Sequence, residues 1–425
     1  MPSSPPPTPL PRARLRRGAW VLYDLANTVY AATLTFLFTP FAKTALGNDL
    51  RLIGITSLAS MLVAGLLAPV FGVLIDQTTR TSRYLVIATL LCIAALAGFA
   101  VDGGPAWLLA CFFVANVTYN LGLLFYNALL TAVAEPGREG RLSGLGTGIG
   151  YFGTILVLVL LLDLAVPTTT KFVVAALLFL VAALPCLVLV RDQRPPRATA
   201  AGQAWRQAFR QLHTTLRELP QHRSLLWFLL GNFCLVDVLN TAILYFADFT
   251  VTVFQPATTA GTALLFGQSC SSDGLLKLIG LLLNGMALVF GIVQGRWTDR
   301  APLAVLRASA VALLLALVGG TLFGGNSVLG YALTLGVCGA FGLSGVWTAG
   351  RKMVVLLAPK ERIGEVFGLY SITVKLSVLG SAIYGFVEFH AGAKPAMLAQ
   401  AVQLLIALAC LAMVRMPRDE PVTPS

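Results

Sequence analysis

The stretch that decides the fold is Trp20-Val21-Leu22-Tyr23-Asp24-Leu25-Ala26-Asn27-Thr28-Val29-Tyr30-Ala31-Ala32-Thr33-Leu34-Thr35. It lies in an apolar run long enough to cross a bilayer, about 20 residues. Yet it carries Asp24, Asn27 and Thr28, which helical spacing puts on one face with Ala31 and Thr35. A carboxylate in a spanning helix costs a few kcal/mol unless it meets a partner or a watery cavity. The stripe is therefore expected to point into a helix bundle. The same D-x-x-N-T pattern returns 213 residues later as Asp237, Asn240 and Thr241 in the apolar run Leu225–Val251.

Working outward, 57% of the 425 residues are hydrophobic and 11% charged, with a mean hydropathy of +0.81. A soluble domain would carry about 25% charged residues. The chain reads as a polytopic, all-α integral membrane protein with twelve spans. They are bounded roughly by 18–40, 52–75, 84–101, 106–131, 145–166, 171–190, 225–251, 275–295, 303–323, 328–350, 366–388 and 396–414. The net charge of +12 follows topology: 24 of the 30 Lys/Arg fall in segments on the side of both termini and five on the other. That asymmetry predicts both termini in the cytoplasm, in the inner (plasma) membrane for a bacterial chain. It argues for anionic lipid beneath the basic segments and against nucleic acid as a partner.

Two further pairs share the spacing of the repeat. Gly72 and Asp76 match Gly295 and Asp299, with Arg300, at an offset of 223. Gly140-Arg141, opening span 5, matches Gly364-Glu365, opening span 11, at 224. Residues 18–190 and 224–414 thus read as related six-helix units in one orientation. A basic, disordered N-terminus (1–17), a cytoplasmic linker (191–223) with an amphipathic piece Ala204–Glu218, and a tail (415–425) complete the expected organisation.

These residues resemble the major facilitator superfamily and, more narrowly, its UMF1/Atg22-like branch, related to vacuolar amino-acid effluxers. The branch has a first-helix pattern like YDWANS, here Tyr23-Asp24-Leu25-Ala26-Asn27-Thr28. FYNALLP stands as Phe125-Tyr126-Asn127-Ala128-Leu129-Leu130-Thr131, GRVSGLG as Gly140–Gly146, and EFFGLYxxxxK as Glu365–Tyr370 followed by Lys375. Leu25 and Thr131 depart from the family's Trp and Pro. The resemblance implies two six-helix bundles of the major facilitator fold and amino-acid transport, with export favoured.

For substrate binding and coupling, the candidates are Asp24, Asn27, Thr28, Asn116, Tyr119, Asn120, Tyr126, Asn127, Asp237, Asn240, Thr241 and Lys375. Lys375, mid-span, is expected to pair with Asp24 or Asp237 or to hold a substrate carboxylate. Gly72, Asp76, Arg80, Arg83, Arg141, Asp299, Arg300 and Glu365 form the candidate conformational latch at the inner helix ends. No catalytic constellation, metal-ligand spacing or phosphate-binding GxxxxGK[ST] occurs, so no enzyme activity or cofactor is expected and ATP is not the direct energy source. A monomeric secondary transporter for a small polar solute, coupled to protons, fits best. Efflux of amphipathic compounds or lipids, or a non-transporting sensor, are the rivals.

Overall fold

The computed structural model describes residues 10–47, 50–162, 164–192, 210–214, 217–261, 264–265, 268–269, 271–375 and 379–416. Among the described residues, twelve helices are long and apolar enough to span a bilayer: α1 (Arg12–Ala45), α2 (Leu52–Thr78), α3 (Thr81–Gly98), α4 (Gly104–Ala128), α5 (Glu139–Leu161), α6 (Thr168–Leu189), α7 (Arg223–Thr259), α8 (Gly274–Arg300), α9 (Pro302–Phe323), α10 (Val328–Leu357), α11 (Ile363–Ala391) and α12 (Ala393–Ala412). A two-residue ladder, Leu264–Leu265 with Gln268–Ser269, is the β-structure among the described residues.

Burial is arranged as a lipid solvent demands. Leu66, Val181, Leu244 and Phe389 are among the large apolar side chains left exposed, whereas Asn116, Asn232, Thr250, Gln294 and Ser344 are buried. With no water in the hydrocarbon core, polar groups must face inward to other helices or to a cavity. Asn116 donates to Ser60 Oγ at 2.7 Å across α4 and α2, and Asn232 to Thr373 Oγ1 at 2.9 Å across α7 and α11.

Among the boundaries that differ from the sequence reading, two bear on how the helices are held together. Helical structure extends ahead of the α1 span to Leu10, so residues 10–17 are helical rather than disordered. Arg16 donates to the Arg191 carbonyl and Arg17 pairs with Glu135, which tie that extension down. More consequential, α10 does not stop at Gly350 but runs to Leu357. The apolar run Met353-Val354-Val355-Leu356-Leu357 continues the helix past Arg351 and Lys352 and carries both charges into the interior. The amphipathic piece Ala204–Glu218 lies largely outside the described residues.

The two six-helix bundles, α1–α6 and α7–α12, meet at the face that carries the start of α1 and the end of α12, termed here the terminal face. There α2 packs on α11, and α5 on α8 and α10. Glycines set the approach. A Cβ on Gly72 would lie 2.4 Å from the Gly364 carbonyl oxygen, and one on Gly291 would lie 2.8 Å from the Gly148 nitrogen. Any side chain at either position would force the halves apart.

Candidate functional site

Between the bundles lies a cavity of about 490 Å³. Asp24, Asn27, Thr28 and Ala31 of α1 line one wall, continued by Tyr119, Asn120 and Asn127 of α4 and by Thr147 and Tyr151 of α5. The other bundle contributes Asn240 and Thr241 from α7, Trp347 and Arg351 from α10, and Tyr370, Ser371 and Ser381 from α11. Leu244, 65% exposed, lines the cavity on its side away from the terminal face.

At the base of the cavity Asp24 and Arg351 face each other across the two halves. Arg351 Nη1 donates to Asp24 Oδ2 at 2.8 Å and Nη2 to Oδ1 at 3.1 Å, a fork-on-fork pair with both side chains 8% exposed. Its surroundings are built to hold it. The guanidinium carbon sits 5.7 Å from the Trp20 ring centroid and 5.4 Å from that of Tyr126, so two aromatic faces share the cation. Trp20 and Tyr126 are stacked at 4.3 Å, and the indole N–H donates to the Tyr126 carbonyl at 3.1 Å. Behind Asp24, Gly146 leaves space that a Cβ would fill, 3.0 Å from Asp24 Oδ2. The next residue, Lys352, pairs with Glu139 at the start of α5, again across the halves. Consecutive cations on one helix thus reach two carboxylates of the opposite bundle.

Arg351, Lys352 and Glu139 were not singled out in the sequence, nor were Trp347, Thr147, Tyr151 and Tyr370. For the two cations the signal was present in the apolar residues 353–357 that follow them. Asp24 takes Arg351 as a partner; the side chain of Lys375 lies outside the described residues. Asn27, Thr28, Tyr119, Asn120, Asn127, Asn240 and Thr241 all border the cavity. Both amide atoms of Asn27, the hydroxyls of Tyr151 and Tyr370, and that of Thr147 have no hydrogen-bond partner among the described residues. Tyr126 and Asn116 stand behind the cavity wall: the first stacks under Trp20, the second binds Ser60.

Asp237 does not occupy the position its repeat partner suggested. It is fully buried and accepts the Gly380 N–H at 2.7 Å, while Gln400 donates to the Gly380 carbonyl at 3.0 Å. It is tied to the backbone of α11, and no ion pair joins it to a cation among the described residues.

The inner helix ends repeat one device twice. Asp76 Oδ1 and Oδ2 accept the N–H groups of Gly364 (2.9 Å) and Glu365 (2.8 Å) at the start of α11. Asp299 Oδ1 accepts those of Gly140 (2.7 Å) and Arg141 (3.2 Å) at the start of α5, and its Oδ2 meets Arg141 Nε at 3.2 Å. Each aspartate caps a helix of the other bundle, where unbonded N–H groups and the helix dipole favour an anion. The buried Glu365 side chain accepts from Gln211 at 2.9 Å. Arg80, Arg83 and Arg300 are exposed, and no ion pair joins them to other described residues, so they stand apart from this arrangement.

A family model described as Major Facilitator Superfamily matches residues 25–271. The chain belongs to that superfamily. An uncharacterized MFS-type transporter of Bacillus subtilis, YxiO, is 24% identical over 393 residues, 86% of each protein. The human organic anion transporter MFSD10 (TETRAN) superposes with a TM-score of 0.70 at 16% identity, covering 95% of this chain and 100% of that one. The Escherichia coli fucose:proton symporter FucP, solved in an outward conformation, gives 0.70 at 15% identity over 96% and 99%. The protein is accordingly an integral, multi-pass membrane transporter of the superfamily and not an enzyme.

Proposed function

We propose that this superfamily member moves a small zwitterionic metabolite, an amino acid in the first place, by alternating access coupled to protons. The observation that carries the reading is the Asp24–Arg351 pair at the base of a cavity lined with amides, hydroxyls and phenols. An α-carboxylate can take the guanidinium, and an α-ammonium the carboxylate, so a zwitterion replaces one buried pair by two without leaving a charge unmatched. Asn27, Tyr151, Tyr370 and Thr147 supply the unpartnered polar atoms for the side chain of the solute. The motifs shared with the UMF1/Atg22-like branch support the amino-acid class and export.

Asp24 is the coupling residue in this reading, since a proton on its carboxylate releases Arg351 to the substrate or to a changed arrangement of the halves. Asp76 and Asp299, with Gly72, Arg141 and the backbone of Glu365, are the latch. The charge asymmetry supports a cytoplasmic terminal face. The arrangement then faces outward, closed by the latch and by the cross-half pairs. Rocking opens the terminal face once Asp24–Arg351 and Lys352–Glu139 have separated.

The test is counterflow of labelled amino acids in proteoliposomes, with and without a pH gradient, for the wild type and Asp24→Asn. Gradient-stimulated flux lost in the variant is expected; flux of no amino acid by the folded protein would overturn the assignment. A second reading, an organic anion lacking an amine, is favoured by Arg351 as a cation lining the cavity. It predicts transport of monocarboxylates that amino acids do not inhibit.

A further inference from the structure

On the terminal face, outside the central cavity, a second recess of about 410 Å³ opens between the start of α1 and the α4–α5 connection. Four guanidinium groups surround it, from Arg14, Arg17, Arg138 and Arg141, with Glu135 as the carboxylate among them. That carboxylate is already engaged by two of the four: Arg17 bonds Oε1, and Arg138 Nη1 donates to Oε2 at 2.6 Å. The recess therefore keeps a net positive charge among the described residues.

Its remaining wall is apolar. Leu142 and Leu145 of α5 line it together with Gly18, and Leu145 is exposed. On α1, Leu15, Gly18 and Leu22 share one face at i, i+3 and i+7, and both leucines are exposed. A Cβ at Gly18 would meet nothing within 4 Å, so this face is an open channel between two leucines. Basic side chains at the end of a spanning helix, above an apolar channel that continues toward the hydrocarbon, match one ligand in both parts: phosphate above, acyl chain below.

We propose that this recess is a binding site for a single anionic phospholipid, its phosphodiester held by Arg14, Arg138 and the outward edge of Arg141, and one acyl chain lying along Leu15, Gly18, Leu22 and Leu145. The site is built wholly from the N-terminal bundle, so occupancy does not require the halves to be closed. It touches the latch at one point only, because Arg141 also meets Asp299. The proposal stands independently of which solute the central cavity carries.

The test is retention of labelled phosphatidylglycerol by the detergent-solubilised full-length protein, against phosphatidylcholine and with inorganic phosphate as competitor. Arg14→Gln with Arg138→Gln removes two exposed cations and is expected to weaken phosphatidylglycerol binding by about thirtyfold. Arg80→Gln with Arg83→Gln makes the same change of net charge elsewhere on this face and is expected to leave binding intact. Gly18→Glu, for which there is room, sets a carboxylate in the channel and is expected to weaken binding without removing any arginine. Equal losses in the two double variants would reduce the effect to diffuse interfacial attraction and overturn the site. So would phosphatidylcholine retained as well as phosphatidylglycerol, or inorganic phosphate displacing the lipid at equal concentration, which would mark a free-anion site.

Discussion

Asp24 and Arg351 are each costly inside a membrane and are tolerable only together. Removing one partner of a buried pair costs about 3–5 kcal/mol because the other is left uncompensated, whereas removing both can be near neutral. Asp24→Asn and Arg351→Met are therefore each expected to lower thermal stability in detergent strongly. The double variant should recover most of the loss, so that the coupling energy from the cycle is at least as large as either single loss. Additive losses would mean that the pair contributes little in the folded protein. A contrasting case lies outside the spans. Hydrogen bonding to Arg17, then its charge, then Arg138, hold the Glu135 carboxyl below its usual value of 4.5. Because the folded-state value is depressed, the contribution of this pair is present above about 4.5 and is lost as pH falls through the lowered value. The side chain is 39% exposed and the pair is screened by solvent, so the effect is small; Glu135→Gln should flatten that part of the acid limb in a pH-dependent melt and leave the neutral range unchanged. At this scale the sequence was informative about Asp24, Asn27 and Asn240, since a polar stripe in an apolar run has to face a partner or a cavity. For Arg351 the signal was weak, because a cation near the end of a span is ordinarily a headgroup anchor and only the apolar residues after it say otherwise.

Among elements, the repeat is the most informative feature, and it is also where the two halves diverge. Asp76 and Asp299 could be paired from their common offset and from the glycine one turn before each. Their hydrogen bonds to the N-termini of α11 and α5 follow the same symmetry. Asp24 and Asp237 share a motif but not an environment: one faces a cation across the cavity, the other is tied to the backbone at Gly380. Spacing records descent from a common unit, and it cannot record which neighbour a later substitution supplied. The glycine contacts give a test of the closure. Gly72→Leu and Gly291→Val each place a side chain where a carbonyl or amide of the other bundle now lies. Both are expected to shift the population toward a state open at the terminal face, read as longer spin-label distances between α2 and α11 and between α5 and α8. Unchanged distances would show that the helices can repack without parting.

For the whole molecule, twelve spans in two bundles were legible because hydropathy and a length requirement leave little else for such a composition. Which way the cavity faces was not, since one sequence encodes both states and their difference lies in contacts that form and break. The packing observed is closed at the terminal face, with Leu244 exposed on the other side of the cavity. If the terminal face is cytoplasmic, Leu244→Cys should react with a membrane-impermeant maleimide added outside intact cells, while Arg300→Cys should react only after permeabilisation. Adding a transported solute with a proton gradient should protect Leu244→Cys, because occupancy and rocking remove the mouth from the outer solution. Gly72→Leu, which wedges the terminal face open, should protect it without any solute. Labelling of Arg300→Cys from outside would invert the topology. Protection by solute but not by the Gly72 wedge would keep the binding site while breaking the link between closure at the terminal face and exposure at the other, which is the coupling that alternating access requires.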